Sequence, residues 1–184
     1  RLKPPYPAQV GYLRQPTLVH NVETLANVPP IVTRGAEWYA AIGTERSTGP
    51  KLFCVSGAVQ RPGIYELPLG TPLRELIEGY AGGLPPGRRV KAVIPGGAST
   101  AVLTASQLDV RLDFESLVAA GSSLGTGAVI VIPDGTCMVD VARRTARFFA
   151  HESCGRCTPC CIGSQRILHL LNGLVAGDGT PEDI

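Results

Sequence analysis

The stretch "ESCGRCTPCCIG", residues 152–163, holds four of the chain's six cysteines. Cys154, Cys157 and Cys160 recur at intervals of three, a spacing that can bring three thiolates onto one small object. Gly155 lets the backbone turn tightly after the first thiolate, and Pro159 fixes φ beside the last. Soft thiolate donors suit iron–sulfur clusters and zinc. A four-iron cluster wants four cysteines, commonly three close together and one remote, whereas zinc usually wants two pairs. The second pair for zinc would have to come from Cys54, Cys137, His151 or His169, which are scattered along the chain. The spacing therefore favours an iron–sulfur cluster.

Other readings of the cysteines are weaker. A disulfide framework needs an oxidising compartment, and the sequence has no visible export signal. A redox-active Cys-x-x-Cys pair sits at a strand-to-helix turn of a thioredoxin-like unit, and no such pattern precedes Cys154. Cys161 stays off the ligand list, because adjacent cysteines rarely ligate one metal comfortably. It reads as a spare thiol or a local substitute ligand. Cys54, within a strand pattern, and Cys137, at a helix start, read as small core residues.

The elements around the motif are legible in outline. Residues 136–150 form an amphipathic helix with Val139, Ala142, Ala146 and Phe149 on one face and Arg143, Arg144 and Arg147 largely away from it. A second helix over "SQRILHLLNGLVAG" carries Ile167, Leu168, Leu171, Leu174 and Val175. Two helices flanking the cysteines predict a helical bundle that presents them at one end. Residues 51–134 read as an α+β unit. "KLFCVSGAV" and "IYELPLG" are strands joined by a "QRPG" turn. "TPLRELIEGYAGG" is a helix capped by Thr71, with Leu73, Leu76, Ile77 and Tyr80 buried and Gly82 as its stop. "VKAVIPGG" and "GAVIVIPDG" are further strands. A hairpin, a helix and then more strands is the β-grasp order of elements. Residues 1–20 read as a Pro-rich extended segment. Asn21 caps a helix that the Pro29–Pro30 pair breaks, and "GAEWYAAIG" is a short helix after it. Neither helix has a partner core of its own within the chain.

Composition sets outer bounds. The 184 residues suffice for one ordinary domain or two small ones, and at 44% hydrophobic and 17% charged the chain is a packed protein rather than a disordered one. A net charge of +2 and the absence of a basic stripe argue against nucleic acid. No apolar run reaches the ~18 residues of a membrane span. The chain opens at Arg1 and its one methionine is Met138. "GDGTPEDI" reads as a helix stop at Gly177 or Gly179, then a new start capped by Thr180 with Pro181 at the first position. Both ends lead us to expect an excised or processed piece of a longer protein.

The motif closely resembles the "ESCGKCTPCREG" stretch of the flavin-carrying, NADH-oxidising subunit of respiratory complex I. The same family includes the diaphorase subunits of NAD-reducing hydrogenases and the β subunits of NAD-dependent formate dehydrogenases. "KPPYPA", "PTLVHNVETLANVP", "VSGAVQRPGIYE", "VIPGGAS", "GSSLGTGAVIVI" and "FFAHESCG" extend the resemblance over essentially the whole chain, in the family's order. The resemblance implies three parts. Residues 1–50 would be the tail of a flavin-binding α/β domain, residues 51–134 the β-grasp (soluble-ligand-binding) domain, and residues 135–184 the start of a helical iron–sulfur domain. It implies a hydride passing from NADH to FMN and electrons leaving through a four-iron cluster held by Cys154, Cys157, Cys160 and a later cysteine beyond Ile184. Its other implications are partner subunits of an electron-transfer complex that include iron–sulfur subunits, no direct membrane insertion, and a location that is cytoplasmic or peripheral to a membrane complex.

Two departures from the family pattern matter. The family usually has paired asparagines before "VETLAN" that approach the flavin; here Asn21 carries over, and His20 does so by position alone. Cys161 and Ile162 stand where the family usually has Arg and Glu, which removes a positive charge beside the cluster. The family's glycine-rich flavin loop has no counterpart in this chain, so these residues alone should neither bind FMN well nor oxidise NADH. The wording of "RLKPPYPAQ" and "PTLVHNVETL" leans toward the formate dehydrogenase branch. The competing expectation is a stand-alone β-grasp ligand-binding or docking module with a structural zinc or free cysteines. It requires a concave, largely apolar site with converging polar groups, and residues 51–134 show only strand alternation.

Overall fold

The computed structural model describes residues 5–180. The chain divides into two compact units, with the boundary between Asp134 and Gly135.

The first unit is built on a mixed five-stranded sheet in the order β2-β1-β5-β3-β4. Strands β1 (Pro50–Gly57) and β2 (Gly63–Pro68) form the expected antiparallel hairpin. β5 (Ala128–Pro133) lies parallel to β1 at the centre and antiparallel to β3 (Val90–Ile94). β4, Leu103–Thr104, is a two-residue edge, too short for any periodicity to reveal it in the sequence. This is the β-grasp arrangement expected from the order of elements.

Period-two alternation decides what each strand buries. Phe53, Val55, Leu67, Val93, Val129 and Val131 point to one face and join Leu73, Leu76, Ile77, Leu112, Leu117 and Leu124 in a single core. Because Phe53 and Val55 face inward, Cys54 must face outward, and it is exposed rather than a core residue. Cys137 is exposed too. Both corrections have the same source, since cysteine hydrophobicity says nothing about which face a position occupies.

The helix after β2 starts at Leu73 without the expected Thr71 cap, because the Thr71 hydroxyl donates to the Pro68 carbonyl at 2.8 Å, and it runs in π register over Glu75–Tyr80. The Ala81 N–H bonds to the Leu76 carbonyl, five residues back. The wider turn puts Ala81, fully buried, where an α-helix would put Tyr80, which is 40% exposed. A short helix α3 (Phe114–Ala119), capped by the buried Asp113 carboxylate on the Ser116 N–H, adds to the expected elements.

Two glycine segments meet where β3 ends and β5 begins. Thr126 N–H bonds to the Gly96 carbonyl, and Gly125 holds a positive φ of 49°. A Cβ on Gly125 would lie 2.1 Å from the Gly96 oxygen. Gly125→Ala therefore has to separate two backbones, and we expect a loss of at least about 1 kcal/mol, read as a lowered urea midpoint with unchanged slope.

Before the sheet, α1 runs Val22–Arg34 straight through Pro29 and Pro30. The expected break does not occur. Each proline withholds one N–H, but α1 buries no residue, so water can satisfy the carbonyls left over. Asn21 Oδ1 accepts the Glu23 N–H at 2.8 Å as the expected cap. Glu23 also reaches β1, accepting from the Leu52 N–H at 2.7 Å and from Lys51 Nζ at 3.2 Å. α2 is Ala36–Ala40. Residues 6–17 are not extended: Gly11 and Thr17 close a tight turn around Tyr12–Arg14.

The second unit is a pair of packed helices, α4 (Met138–Glu152) and α5 (Thr158–Ala176). On α4 the buried position is Ala146, with Val141 and Thr145 half-buried. Val139 and Phe149, expected on that face, are 40% and 38% exposed. Asp140 explains part of the rotation. It accepts from Arg143 Nε at 2.9 Å and Arg144 Nε at 2.8 Å, which holds Arg143 half-buried. α5 ends at Gly177 in left-handed conformation, as expected. The second helix start, at Thr180–Pro181, falls largely outside the described residues.

The guanidiniums of Arg143 and Arg144 hold the Asp140 carboxyl below the usual carboxylate range. Stability from a depressed acid is present above its unfolded pKa of about 3.9 and is lost as pH falls through the folded value. The stability gap between the wild type and Asp140→Asn should therefore narrow as the pH drops below about 4, a trend that thermal melts at stepped pH would show.

Candidate metal centre

The cysteine motif occupies the connection between α4 and α5. α4 stops at Glu152, and Ser153 leaves the helix with φ −60° and ψ 123°. Gly155 turns the chain at φ +76°, a region costly to other residues. Cys157, extended at φ −98° and ψ 120°, is the N-cap of α5, and Pro159 sits in the first turn, where its missing N–H costs nothing. α5 thus begins at Thr158 rather than Ser164. The sequence places the stop signal of Gly155 and the start signal of Pro159 so close together that the cysteines themselves become the helix end.

This start fixes the chemistry of the three expected ligands. Cys157 occupies the N-cap position of α5, its thiol making no capping bond, and Cys160 lies in the first turn, so both stand at the positive end of a 19-residue dipole. Net negative charge held there is favoured, as for a thiolate-held cluster. Arg156, exposed between Cys154 and Cys157, adds a positive charge. Cys154, Cys157 and Cys160 are all exposed. An open concavity of about 420 Å³ is lined by Ser153, Cys154, Gly155 and Arg156. The Ser153 hydroxyl lies 3.7 Å from Cys160 Sγ and accepts the Gly155 N–H at 3.4 Å. These contacts draw the first turn of α5 back to the end of α4.

Among the described residues, no three Cys, His, Asp or Glu side chains are gathered closely enough to hold a metal ion. The three thiols share one loop and helix end without converging, and His151, His169 and Cys137 do not join them. The donor set nonetheless fits an iron–sulfur cluster: three accessible soft thiols, a flexible Gly155 between them and a helix dipole behind them. Cys161 is half-buried, in line with Ser164 and Leu168 on α5, and its N–H makes the helical bond to the Cys157 carbonyl at 2.9 Å. That is a packing position within α5.

The other expected site residues lie in the first unit. His20 and Asn21 are exposed at the start of α1, and the Asn21 oxygen is committed to its cap. A groove of about 610 Å³ beside them is lined by Glu23, Pro30, Arg34, Trp38, Lys51 and Glu66, among others. Within it Glu23 and Lys51 already pair, and Arg34 stacks over Trp38 at 4.7 Å. Sequence reasoning missed Glu23 as the tie between α1 and β1, and Ser153 as a neighbour of a cysteine sulfur. Both lie inside quoted stretches, but residue type alone does not announce either contact.

Fold and motif together define an SLBB-type β-grasp unit followed by a helical cysteine-motif region. Comparison with known proteins agrees: the SLBB domain matches residues 52–103, and the NADH-ubiquinone oxidoreductase-F iron–sulfur binding region matches residues 140–184. The chain is 55% identical to the F 2 component of the NADH-quinone oxidoreductase of Rhizobium meliloti, covering 100% of this chain and 44% of that protein. It is 46% identical to the HndC component of the NADP-reducing hydrogenase of Solidesulfovibrio fructosivorans, covering 99% of this chain and 37% of the relative. The air-oxidised NAD+-reducing NiFe-hydrogenase structure superposes with a TM-score of 0.84 at 43% identity, covering 100% of this chain and 31% of that one. The chain is thus homologous along its whole length to part of the F components of NADH-quinone oxidoreductases and their hydrogenase counterparts, and spans less than half the length of these relatives. No helix among the described residues is long and apolar enough to cross a membrane.

Proposed function

We propose that this chain is the electron-exit part of an NADH-oxidising subunit, in which electrons pass from NADH through FMN to a four-iron cluster. The observation that carries the reading is the placement of Cys157 and Cys160 at the N-terminus of α5, with Cys154 one glycine turn away. When bound, such a cluster accepts and releases electrons singly. The residues of this chain hold and tune it. Cys154, Cys157 and Cys160 supply three thiolates, and the fourth comes from outside these residues. The α5 dipole and Arg156 favour the anionic assembly, and Gly155 gives the loop freedom to close around it.

In this reading residues 1–50 end a flavin-binding domain, residues 51–134 are an architectural β-grasp domain, and residues 135–184 begin the cluster domain. Asn21, and His20 by position, lie on the flavin side. The partners are further subunits of an electron-transfer complex, iron–sulfur subunits among them, on the cytoplasmic side. The relatives named above are quinone-linked and hydrogenase proteins, and the leaning toward formate dehydrogenase rests on the wording of residues 1–25 alone.

The test is to purify the full-length protein anaerobically and add NADH. A reduced-cluster EPR signal that appears with NADH and not with buffer supports the reading. Bound zinc, with no NADH-dependent signal, would support the module with a structural zinc instead.

A further inference from the structure

We infer that Ser153 is a positioning residue that sets the cluster's potential by donating its hydroxyl proton to Cys160 Sγ. The inference rests on the cluster reading above. Ser153 Oγ and Cys160 Sγ are 3.7 Å apart, within hydrogen-bonding reach for sulfur. Oxygen and sulfur could in principle exchange roles, but a cysteine that ligates metal is a thiolate and has no proton to give. The Gly155 N–H takes one of the two acceptor positions of the same Ser153 oxygen at 3.4 Å, and the hydroxyl proton stays free for the sulfur. Ser153 is half-buried, whereas Cys160 is exposed, so the serine is the better fixed of the pair. Ser164 Oγ bonds the Cys160 carbonyl at 2.6 Å from the other side. Cys160 is therefore held through both its backbone and its sulfur.

A hydrogen bond to a ligand sulfur withdraws negative charge from the cluster. It favours the more negative, reduced state and raises the reduction potential. Removing it should lower the potential without removing a ligand. Ser153 also spans the connection from α4 to the first turn of α5, so the same contact keeps Cys160 near the loop that carries Cys154.

The experiment compares wild type, Ser153→Ala and Ser153→Thr in the full-length protein within its complex, by iron and sulfide content and by an EPR-monitored redox titration. Ser153→Ala should keep its iron, and at a fixed ambient potential its reduced-to-oxidised ratio should fall by up to about tenfold, which is about 59 mV for a one-electron couple. Ser153→Thr, which keeps the hydroxyl, should titrate like wild type. An alanine variant with full iron and the wild-type potential overturns the inference. If the alanine variant loses its iron, threonine decides: full iron at the wild-type potential supports the hydroxyl's role, and loss in both variants overturns it. A wild type that holds no cluster would refute the cluster reading itself, a result distinguishable from any of these.

Discussion

Cys157→Ala in the full-length protein should reduce bound iron to background and abolish the reduced-cluster EPR signal, while Cys161→Ala leaves both intact. The two residues differ in what α5 does with them. Cys157 is the N-cap, outside the helix, exposed and at the positive end of the dipole. Cys161 lies inside the first turns, half-buried, in line with Ser164 and Leu168. Changing even the outer partners of metal ligands costs roughly 10- to 100-fold in affinity, so deleting a ligand should cost more. Iron analysis on anaerobically purified proteins reads this directly. If Cys161→Ala lost its iron while Cys157→Ala kept it, the assignment of ligands would be reversed.

The largest stability effect should come from the first unit. Phe53 is fully buried on β1 beneath the central strands. Its removal leaves a cavity between the sheet and the residues that cover it, and a buried Phe→Ala change costs about 3–5 kcal/mol. At roughly 2–4 °C per kcal/mol for a chain of this size, the midpoint of a two-state melt should fall by about 6–20 °C. Cys54→Ala next to it should change the midpoint by little, because that side chain is exposed. The pair tests the strand alternation as much as the core: equal effects would mean that the face assignment of β1 is wrong.

Much of this fold can be read from local chemistry. Pro62 and Gly63 mark the hairpin, Asn21 marks the helix cap, and the Val129–Val131 alternation marks β5. Readings failed where a decision depended on distant residues. Whether Cys54 points in or out depends on Phe53 and Val55 as neighbours. Whether Pro29 and Pro30 break α1 depends on whether anything excludes water from the carbonyls they leave unpaired. The π register after Pro72 depends on Ala81 filling the core in place of Tyr80, and no periodicity announces it. The site divides in the same way. Three cysteines at spacing three, with Gly155 and Pro159, are a local signal and can be seen in the sequence. Ser153 and Glu23 lie inside quoted motifs, but they act through contacts made only once the chain has folded, so the sequence marks the stretch and not the contact.

The central claim is that Cys154, Cys157 and Cys160 hold a four-iron cluster. The direct measurement is the metal and acid-labile sulfide content of the anaerobically purified full-length protein, with EPR after dithionite reduction. The account predicts iron and sulfide in equal amounts and a reduced-cluster signal that is lost in Cys154→Ala, Cys157→Ala and Cys160→Ala alike. Zinc without sulfide, or a cluster that survives all three substitutions, would contradict it.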